Sequence, residues 1–330
     1  MEHALARRLF TRPPRWLVRL VGRGDVTVDG APLDDAVRVM MWLHDKRTKP
    51  LSAMPPALSR KQMRRDARVH QGVLDPVAAT RDLLIDGAAG PLRARHYAND
   101  GPLFLYFHGG GFVIGDLDTH DAFCRLLCHH AGVAVLSVEY RKSPEVVFPA
   151  AVDDAWAAYQ WTLAHKNELG AGRLIIGGDS AGGNLAAVTT IRARDEKREL
   201  PVLQVLIYPA VDRVTARPSM DQFGVGYLLR KADVEWYFDT YAPAGDRQDL
   251  RISPLFADLR GLPPALIVTA AFDTVRDEGE AYAEALKQAG NEVTQYRALG
   301  LVHGFVNFTG LIPAARKAAI ELAERVRQKI

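Results

Sequence analysis

The stretch LIIGGDSAGG at 174–183 decides the fold, because it reads as a buried strand, a sharp turn and the start of a helix in succession. Ser180 lies in this turn within the pattern Gly-x-Ser-x-Gly, and Gly178 and Gly182 occupy the positions that must carry no bulky side chain. The first turn of the following helix offers free N–H groups to a developing negative charge. The stretch predicts a nucleophilic serine on an α/β fold. A glycine-rich turn whose serine only caps a helix is the alternative interpretation.

Short apolar runs alternate with helical stretches from about residue 80 onward. The predicted strands are Arg81–Asp86, Leu92–Tyr97, Leu103–Phe107, Ala134–Glu139, Arg173–Gly177, Gln204–Tyr208, Leu266–Ala270 and Val293–Arg297. The helix-like spans are 119–131, 150–166, 181–196, 276–289 and 312–328. Several strands are nearly all apolar rather than alternating, which is typical of strands covered on both faces. The pattern predicts a mostly parallel eight-stranded sheet flanked by helices.

Two segments depart from this alternation. Residues 1–75 are helical and irregular, with proline pairs at 13–14 and 55–56, and residues 211–250 hold aromatic side chains at helical spacing. We predict that both segments belong to a helical cap, with the core divided into residues 76–210 and 251–330. Phe223 and Tyr227 are then expected to line an apolar acyl pocket. A helical insertion that packs its aromatic residues onto the core is a compatible alternative.

Composition and charge exclude several classes of protein. The 330 residues carry a net charge of +3, without the concentrated basic face that nucleic-acid binding needs. Two cysteines, Cys124 and Cys128, exclude a disulfide framework and are compatible with a reducing compartment, so a cytoplasmic location is expected. No apolar run reaches the length of a membrane-spanning helix, so no stable membrane insertion is expected.

The arginine-rich start could be a transit peptide or an interfacial anchor, but Pro13 and Pro14 favour a structural or substrate-covering helix.

A second motif, HGGGF at 108–112, follows the third predicted strand. A glycine-rich turn there can point consecutive backbone N–H groups into a cavity, where they stabilise negative charge on a carbonyl oxygen. The predicted donors are the N–H groups of Gly110, Gly111 and Ala181. We expect Phe112 in the substrate pocket and His108 to shape the loop. A phosphate-binding loop is the alternative, but no Gly-Lys-Ser/Thr follows.

A serine nucleophile needs a base, and the base needs a carboxylate that orients it. His303 is the only histidine that follows Ser180, and it comes just after the last predicted strand. Asp273 follows the strand before it and is expected to emerge at the same end of the sheet. Asp277 and Glu278 are competitors, although acids at a helix start often serve only as dipole partners. The predicted triad is therefore Ser180, Asp273 and His303, in that chain order.

These motifs together resemble the hormone-sensitive-lipase family of α/β-hydrolases, whose bacterial members are called family IV carboxylesterases. The resemblance covers residues 80–330 and rests on HGGGF at 108–112, YRKSPE at 140–145, FPAA at 148–151, GDSAGG at 178–183, FDTVRDEG at 272–279 and HGF at 303–305. The chain departs from the usual family pattern at Lys142, Ser143, Ala271, Thr274 and Val275. None of these departures removes a predicted catalytic group.

The resemblance implies an α/β-hydrolase fold with a helical cap. It implies hydrolysis of short- to medium-chain acyl esters through an acyl-enzyme, with Ser180 as nucleophile, Asp273 as orienting acid and His303 as base. No cofactor and no metal are expected, and the expected partner is a small-molecule ester. An amidase or deacetylase on the same triad is the alternative, and a non-catalytic ligand-binding receptor is a weaker one because His303 is present. The last strand, as a sheet edge, could pair in a homodimer.

Overall fold

Ten strands form two sheets in this computed structural model, which describes residues 10–11, 13–22, 26–47, 49–169 and 172–330. The strands are β1 (Thr27–Val28), β2 (Ala31–Pro32), β3 (Thr80–Gly87), β4 (Gly90–Tyr97), β5 (Leu103–Phe107), β6 (Ala134–Glu139), β7 (Leu174–Asp179), β8 (Leu203–Ile207), β9 (Ala265–Phe272) and β10 (Val293–Val302). Strands β1 and β2 form a small hairpin. The other eight strands form one sheet in the order β10-β9-β8-β7-β5-β6-β4-β3.

Ten α-helices accompany the strands in the described part of the chain. They are α1 (Arg15–Val21), α2 (Asp35–Arg47), α3 (Pro56–His70), α4 (Asp121–Leu127), α5 (Ala150–His165), α6 (Ala181–Asp195), α7 (Pro218–Gln222), α8 (Lys231–Tyr241), α9 (Arg276–Gln288) and α10 (Pro313–Lys329). Short 3-10 turns lie at Leu51–Ala53, Pro254–Phe256 and Phe305–Phe308, and a π turn at Cys128–Gly132 extends α4. None of the described helices combines the length and apolarity needed to cross a bilayer.

The large sheet is parallel over six strands. Strands β6, β5, β7, β8, β9 and β10 pair in parallel with their neighbours, whereas β4 pairs antiparallel with β6, and β3 antiparallel with β4. Parallel neighbours end at the same edge of the sheet, so the residues that follow β5, β7, β9 and β10 meet there. This edge is where the sequence places the serine, the acid, the histidine and the glycine-rich loop.

Helices cover both faces of the sheet. Along β5, Leu105 and Phe107 belong to a core cluster with α5, α6 and α9, while Phe104 and Tyr106 belong to a second cluster with α4 and α10. Burial on both faces explains why these strands are apolar throughout. The predicted architecture, an eight-stranded mostly parallel sheet between helices, is confirmed.

The strand ends differ from the predicted ones where the ends matter most. Strand β7 continues to Asp179, two residues beyond the predicted end, and so reaches the residue before Ser180. Strand β9 continues to Phe272, directly before Asp273. Strand β10 runs to Val302, with an irregular register between Ala298 and Val302. Gly178 and Asp179 at the end of β7 and Gly300 within β10 are residue types that strands disfavour, and they concealed backbone pairing that the neighbouring strands impose.

The N-terminal segment and residues 211–250 add helices outside the large sheet and the helices that cover its two faces. Ranges 1–9, 23–25 and positions 12 and 48 of the predicted cap lie outside the described residues, together with several of its arginines. The described part of the N-terminal segment is helical and irregular as predicted, but it also contains a short hairpin of β1 and β2 that was not predicted. Its turn is Asp29-Gly30, with φ of 51° and 73°, a dipeptide that favours tight hairpin turns. Helices α7 and α8 lie within 211–250.

Candidate active site

Ser180 lies at a sharp turn between β7 and α6. Its backbone has φ 54° and ψ −116°, a left-handed conformation that costs energy in any residue with a β-carbon. Its N–H donates to Ile207 O at 2.8 Å, which fixes the turn to β8. β-Carbons built on Gly178 and Gly182 would stand 2.3 and 1.9 Å from Phe107 O. The turn therefore exists only because both positions are glycine.

The structure brings Ser180, His303 and Asp273 into one chain of contacts. His303 Nε2 lies 2.9 Å from Ser180 Oγ, and His303 Nδ1 lies 2.7 Å from Asp273 Oδ2. Asp273 is buried, and its other oxygen accepts the N–H of Val275 at 3.0 Å. The imidazole also packs on the ring of Tyr208, with centroids 4.6 Å apart. This geometry allows a proton to move from serine to histidine while the carboxylate fixes the ring.

The competing acids have other partners. Asp277 accepts the N–H of Ser219 at 2.8 Å. Glu278 accepts the N–H of Val211 at 2.8 Å and pairs with the guanidinium of Arg213. Burial raises the pKa of Glu278 to about 7 in spite of that arginine. Both acids thus fasten the start of 211–250 to the first turn of α9, and Asp273 is the carboxylate that contacts His303.

The glycine-rich loop after β5 is held from beneath by Asp179. The carboxylate Oδ1 accepts the N–H of Gly109 at 2.7 Å and the hydroxyl of Tyr106 at 2.5 Å, and it lies 3.4 Å from His120 Nε2. Burial alone would raise its pKa, but His120, Tyr106 and the Gly109 amide bring the pKa of Asp179 below its ordinary value. The glycine-rich loop is therefore anchored to Asp179, the residue that precedes Ser180. The sequence analysis did not predict this role for Asp179.

Gly110 and Gly111 continue this loop, and together with Ala181 they line the same cavity as Ser180. Gly110 has φ of +115° and Gly111 φ of +60°, so both occupy conformations that favour glycine. The carbonyl of Gly110 accepts N–H groups from Val113 and Ile114, each at 3.0 Å, which closes the turn.

His108 shapes this loop as expected. Its ring is buried and stacks on Tyr140 with centroids 4.4 Å apart, and Nδ1 lies 2.8 Å from Gly109 O. Burial lowers the pKa of His108 to about 3. The ring is therefore neutral at ordinary pH and acts as packing and a hydrogen-bond partner.

A cavity of about 860 Å³ opens over Ser180 and His303. Its walls combine apolar residues of the N-terminal segment with aromatic and aliphatic residues of 211–250. They include Met40, Leu43, Met63 and Ala67 from the first group, and Tyr227, Leu228, Tyr237 and Phe238 from the second. Asp66, Arg213, Arg230 and Asp233 add charged groups to the wall. The two segments also bond to each other, since Ser52 donates to Asp233 and Arg230 pairs with the same carboxylate.

Of the three predicted pocket residues, Phe112 and Tyr227 line this cavity. Phe223 does not, and that prediction needs correction. Its side chain is fully buried behind the wall, with its ring against Tyr227 at 5.1 Å and Phe272 at 5.7 Å between centroids. Helical spacing identified the aromatic face of 211–250, but it does not say which ring reaches the cavity and which packs on the sheet.

A comparison with known families and proteins gives concordant results. A family model described as alpha/beta hydrolase fold matches residues 104–307. Carboxylic ester hydrolase LipN of Mycobacterium tuberculosis is 44% identical over 329 residues, which cover 94% of this chain and 86% of that protein. Ethyl acetate hydrolase of Pseudomonas putida is 36% identical over 294 residues, which cover 85% of this chain and 92% of that protein.

Solved structures agree with these relatives. The thermostable carboxylesterase EstE1, cloned from a metagenomic library, superposes with a TM-score of 0.81 at 42% identity, covering 84% of this chain and 98% of that chain. The esterase of Pyrobaculum calidifontis gives a TM-score of 0.82 at 38% identity, covering 90% and 99% respectively. Both matches thus cover more than four fifths of this chain and nearly all of the solved chain.

Proposed function

Because the chain belongs to the α/β-hydrolase family, in its hormone-sensitive-lipase branch, and is a carboxylic ester hydrolase, we propose that it cleaves short- to medium-chain acyl esters through a serine acyl-enzyme. One observation carries the proposal. Ser180 Oγ, His303 and Asp273 form a continuous chain with distances of 2.9 and 2.7 Å.

Acylation begins at Ser180. His303 Nε2 accepts the hydroxyl proton as Oγ attacks the ester carbonyl, and Asp273 holds the ring in the tautomer whose Nδ1 carries hydrogen. The protonated His303 then donates to the leaving alcohol. Water, deprotonated by His303, then attacks the acyl-enzyme; the bond from Ser180 Oγ to the acyl carbon breaks, and His303 returns the proton to Oγ as the acid leaves. The same three residues therefore serve both halves of the reaction.

The negative charge that forms on the carbonyl oxygen is stabilised by the backbone N–H groups of Gly110, Gly111 and Ala181. Ala181 begins helix α6, so the positive end of that helix dipole faces the same oxygen. The loss of a single donor of this kind costs about 10²- to 10³-fold in rate. The anchoring of Gly109 by Asp179 supports this role, because it limits where the next two amides can stand.

The cavity has room for the proposed substrates. Its volume of about 860 Å³ and its apolar walls accommodate a short or medium alkyl chain. The relative that is named for ethyl acetate supports the short end of that range. We further propose that residues 1–75 and 211–250 form the cap over this cavity, on a core of 76–210 and 251–330. Substitutions in the cap would then change acyl preference without abolishing hydrolysis.

Initial rates on p-nitrophenyl esters from acetate to palmitate test the proposal, with Ser180→Ala as the control. We expect rates to be highest for short to medium chains and to vanish in Ser180→Ala. Near-normal hydrolysis by Ser180→Ala would overturn it. A parent enzyme that reacts with an organophosphonate but cleaves only matched anilides would instead be an amidase, and one that does neither would be a binding protein.

A further inference from the structure

Arg60 of helix α3 in the N-terminal segment contacts the end of the glycine-rich loop at Val113. Its Nε donates to Val113 O at 2.7 Å, and its Nη2 donates to Ser143 O at 2.7 Å. Both terminal nitrogens also pair with Glu145, at 2.8 and 2.7 Å. The guanidinium thus joins a cap helix to two separate loops of the core.

These two loops set the position of the predicted oxyanion donors. Val113 N–H closes the turn on Gly110 O at 3.0 Å, and Ser143 N–H donates to Phe112 O at 2.9 Å. Val113 and Ser143 therefore each donate a backbone N–H group to the glycine-rich loop. Each of them also accepts a hydrogen bond from Arg60 at its own carbonyl oxygen. A shift of Val113 or Ser143 moves the turn that carries Gly110 and Gly111.

We propose that Arg60 is a positioning residue that couples the docking of α3 to the placement of the oxyanion amides; the inference rests on the proposed function. Arginine suits this task because its planar fork can reach three acceptors in fixed directions, whereas lysine is a flexible point charge. The Arg60 side chain is only 16% exposed, so its bonds to the two carbonyls are shielded from water. Glu145 is 60% exposed and pairs with the Arg60 guanidinium on its solvent-facing side.

Other contacts keep α3 in place without Arg60. Arg64 on the same helix pairs with Asp116 at 2.8 Å. The hydroxyl of Ser59 donates to Leu51 O at 2.6 Å, and His70 O accepts Gly310 N–H at 2.9 Å. Removal of the Arg60 guanidinium should therefore shift the glycine-rich loop more than it weakens the packing of α3 on the core.

The experiment compares Arg60→Ala and Arg60→Lys with Arg68→Ala, an exposed arginine on the same helix. The measurements are kcat and KM on p-nitrophenyl butyrate, the rate of labelling by an organophosphonate, and Tm. We expect both Arg60 variants to lose about 10- to 100-fold in kcat and in labelling rate. KM should stay within about threefold, because uniform substrate binding is not affected. Arg68→Ala should match the parent.

The pH profile separates positioning from a general structural role. The His303–Asp273 pair does not contact Arg60, so the acid limb of kcat/KM should keep its apparent pKa in both variants. Parent-like kcat in Arg60→Lys, or a rise in KM at constant kcat, would overturn the inference, because charge or docking alone would then suffice. Should Arg60→Ala fail to fold, Arg60→Lys decides by the same criteria.

Failure of the proposed function looks different. In that case the parent itself lacks ester hydrolysis, or Ser180→Ala retains it, and the positioning role falls with it. With an active parent and an inactive Ser180→Ala, unchanged rates in both Arg60 variants overturn the positioning role alone.

Discussion

Tyr237 and Gly111 are in such close contact that a β-carbon built on the glycine would stand 2.3 Å from the tyrosine ring. The ring, carried by helix α8, fills the place that any larger residue at 111 would need. Because α3 holds the same loop through Arg60, the glycine turn lies between two helices from different parts of the chain. Both contacts act on the backbone that presents the predicted oxyanion donors.

Gly111→Ala should therefore lower kcat on p-nitrophenyl butyrate by about 100-fold or more, because the methyl group displaces either the amide or Tyr237. The matched control is Gly290→Ala. Gly290 has φ of +86°, and no atom lies within 4 Å of its built β-carbon. That variant should keep parent activity and lose about 1 kcal/mol of stability from backbone strain alone. Equal activity in the two variants would contradict the importance of the contact.

Asp273→Asn should reduce kcat by about 10³- to 10⁴-fold, because the amide favours the wrong tautomer of His303. Asp277→Asn is the control, since this acid accepts the Ser219 N–H instead of contacting His303. Steady-state kinetics of both variants at pH 8 would check the assignment. If Asp277→Asn suffers the larger loss, the orienting acid has been misassigned.

Glu278 should make stability depend on pH. Burial raises its pKa from an ordinary 4.5 to about 7, so the folded protein keeps a proton there that the unfolded chain has released. The stability that the protonated Glu278 carboxyl gives to the folded protein is fully present below pH 4.5 and is lost as the pH rises through about 7. The loss should be about 1–3 kcal/mol.

Urea unfolding at pH 5 and pH 8 measures this effect. Glu278→Gln, which stays neutral, should reduce the difference in unfolding free energy between the two pH values. Glu284→Gln replaces an exposed glutamate of the same helix and should leave that difference unchanged. An identical difference in the parent and Glu278→Gln would show that this carboxyl is ionised throughout.

Strand β10 lies at one edge of the large sheet, and a homodimer that pairs this edge with a second copy stays a prediction. Unpaired edge strands offer N–H and C=O groups to a partner strand. Light scattering after size-exclusion chromatography should give twice the chain mass of 36.4 kDa at high concentration. A single-chain mass at every concentration would reject the dimer.

The sheet could be predicted from the sequence because strands buried on both faces are nearly all apolar. Ala134–Glu139 was located to the residue for that reason, with helices predicted on either side. The convergence of Ser180, Asp273 and His303 followed from parallel topology, which brings the carboxyl ends of strands to one edge. Their catalytic roles stay predictions.

The contacts around the glycine loop could not be predicted, since they join residues far apart in the chain. Arg60 meets Val113 across 53 positions, and Asp179 meets Gly109 across 70. No local pattern marks an arginine as a clamp or an aspartate as an anchor. The prediction that Phe223 lines the pocket was wrong for a related reason, because hydrophobic periodicity defines the apolar face of a helix but not the surface that this face contacts. Only the Asp29-Gly30 turn carried a local signal that could have revealed the missed hairpin.

The reacting groups and the cavity walls are borne by different kinds of element. Ser180, Asp273 and His303 directly follow strands of the large sheet, which pairing with neighbouring strands holds in place, whereas residues such as Met40 and Tyr227 lie outside the sheet. A change in the wall can therefore be inherited without disturbing the machinery that breaks the ester bond. Such an enzyme can acquire new substrates by exchanging wall residues one at a time, each intermediate remaining a working hydrolase.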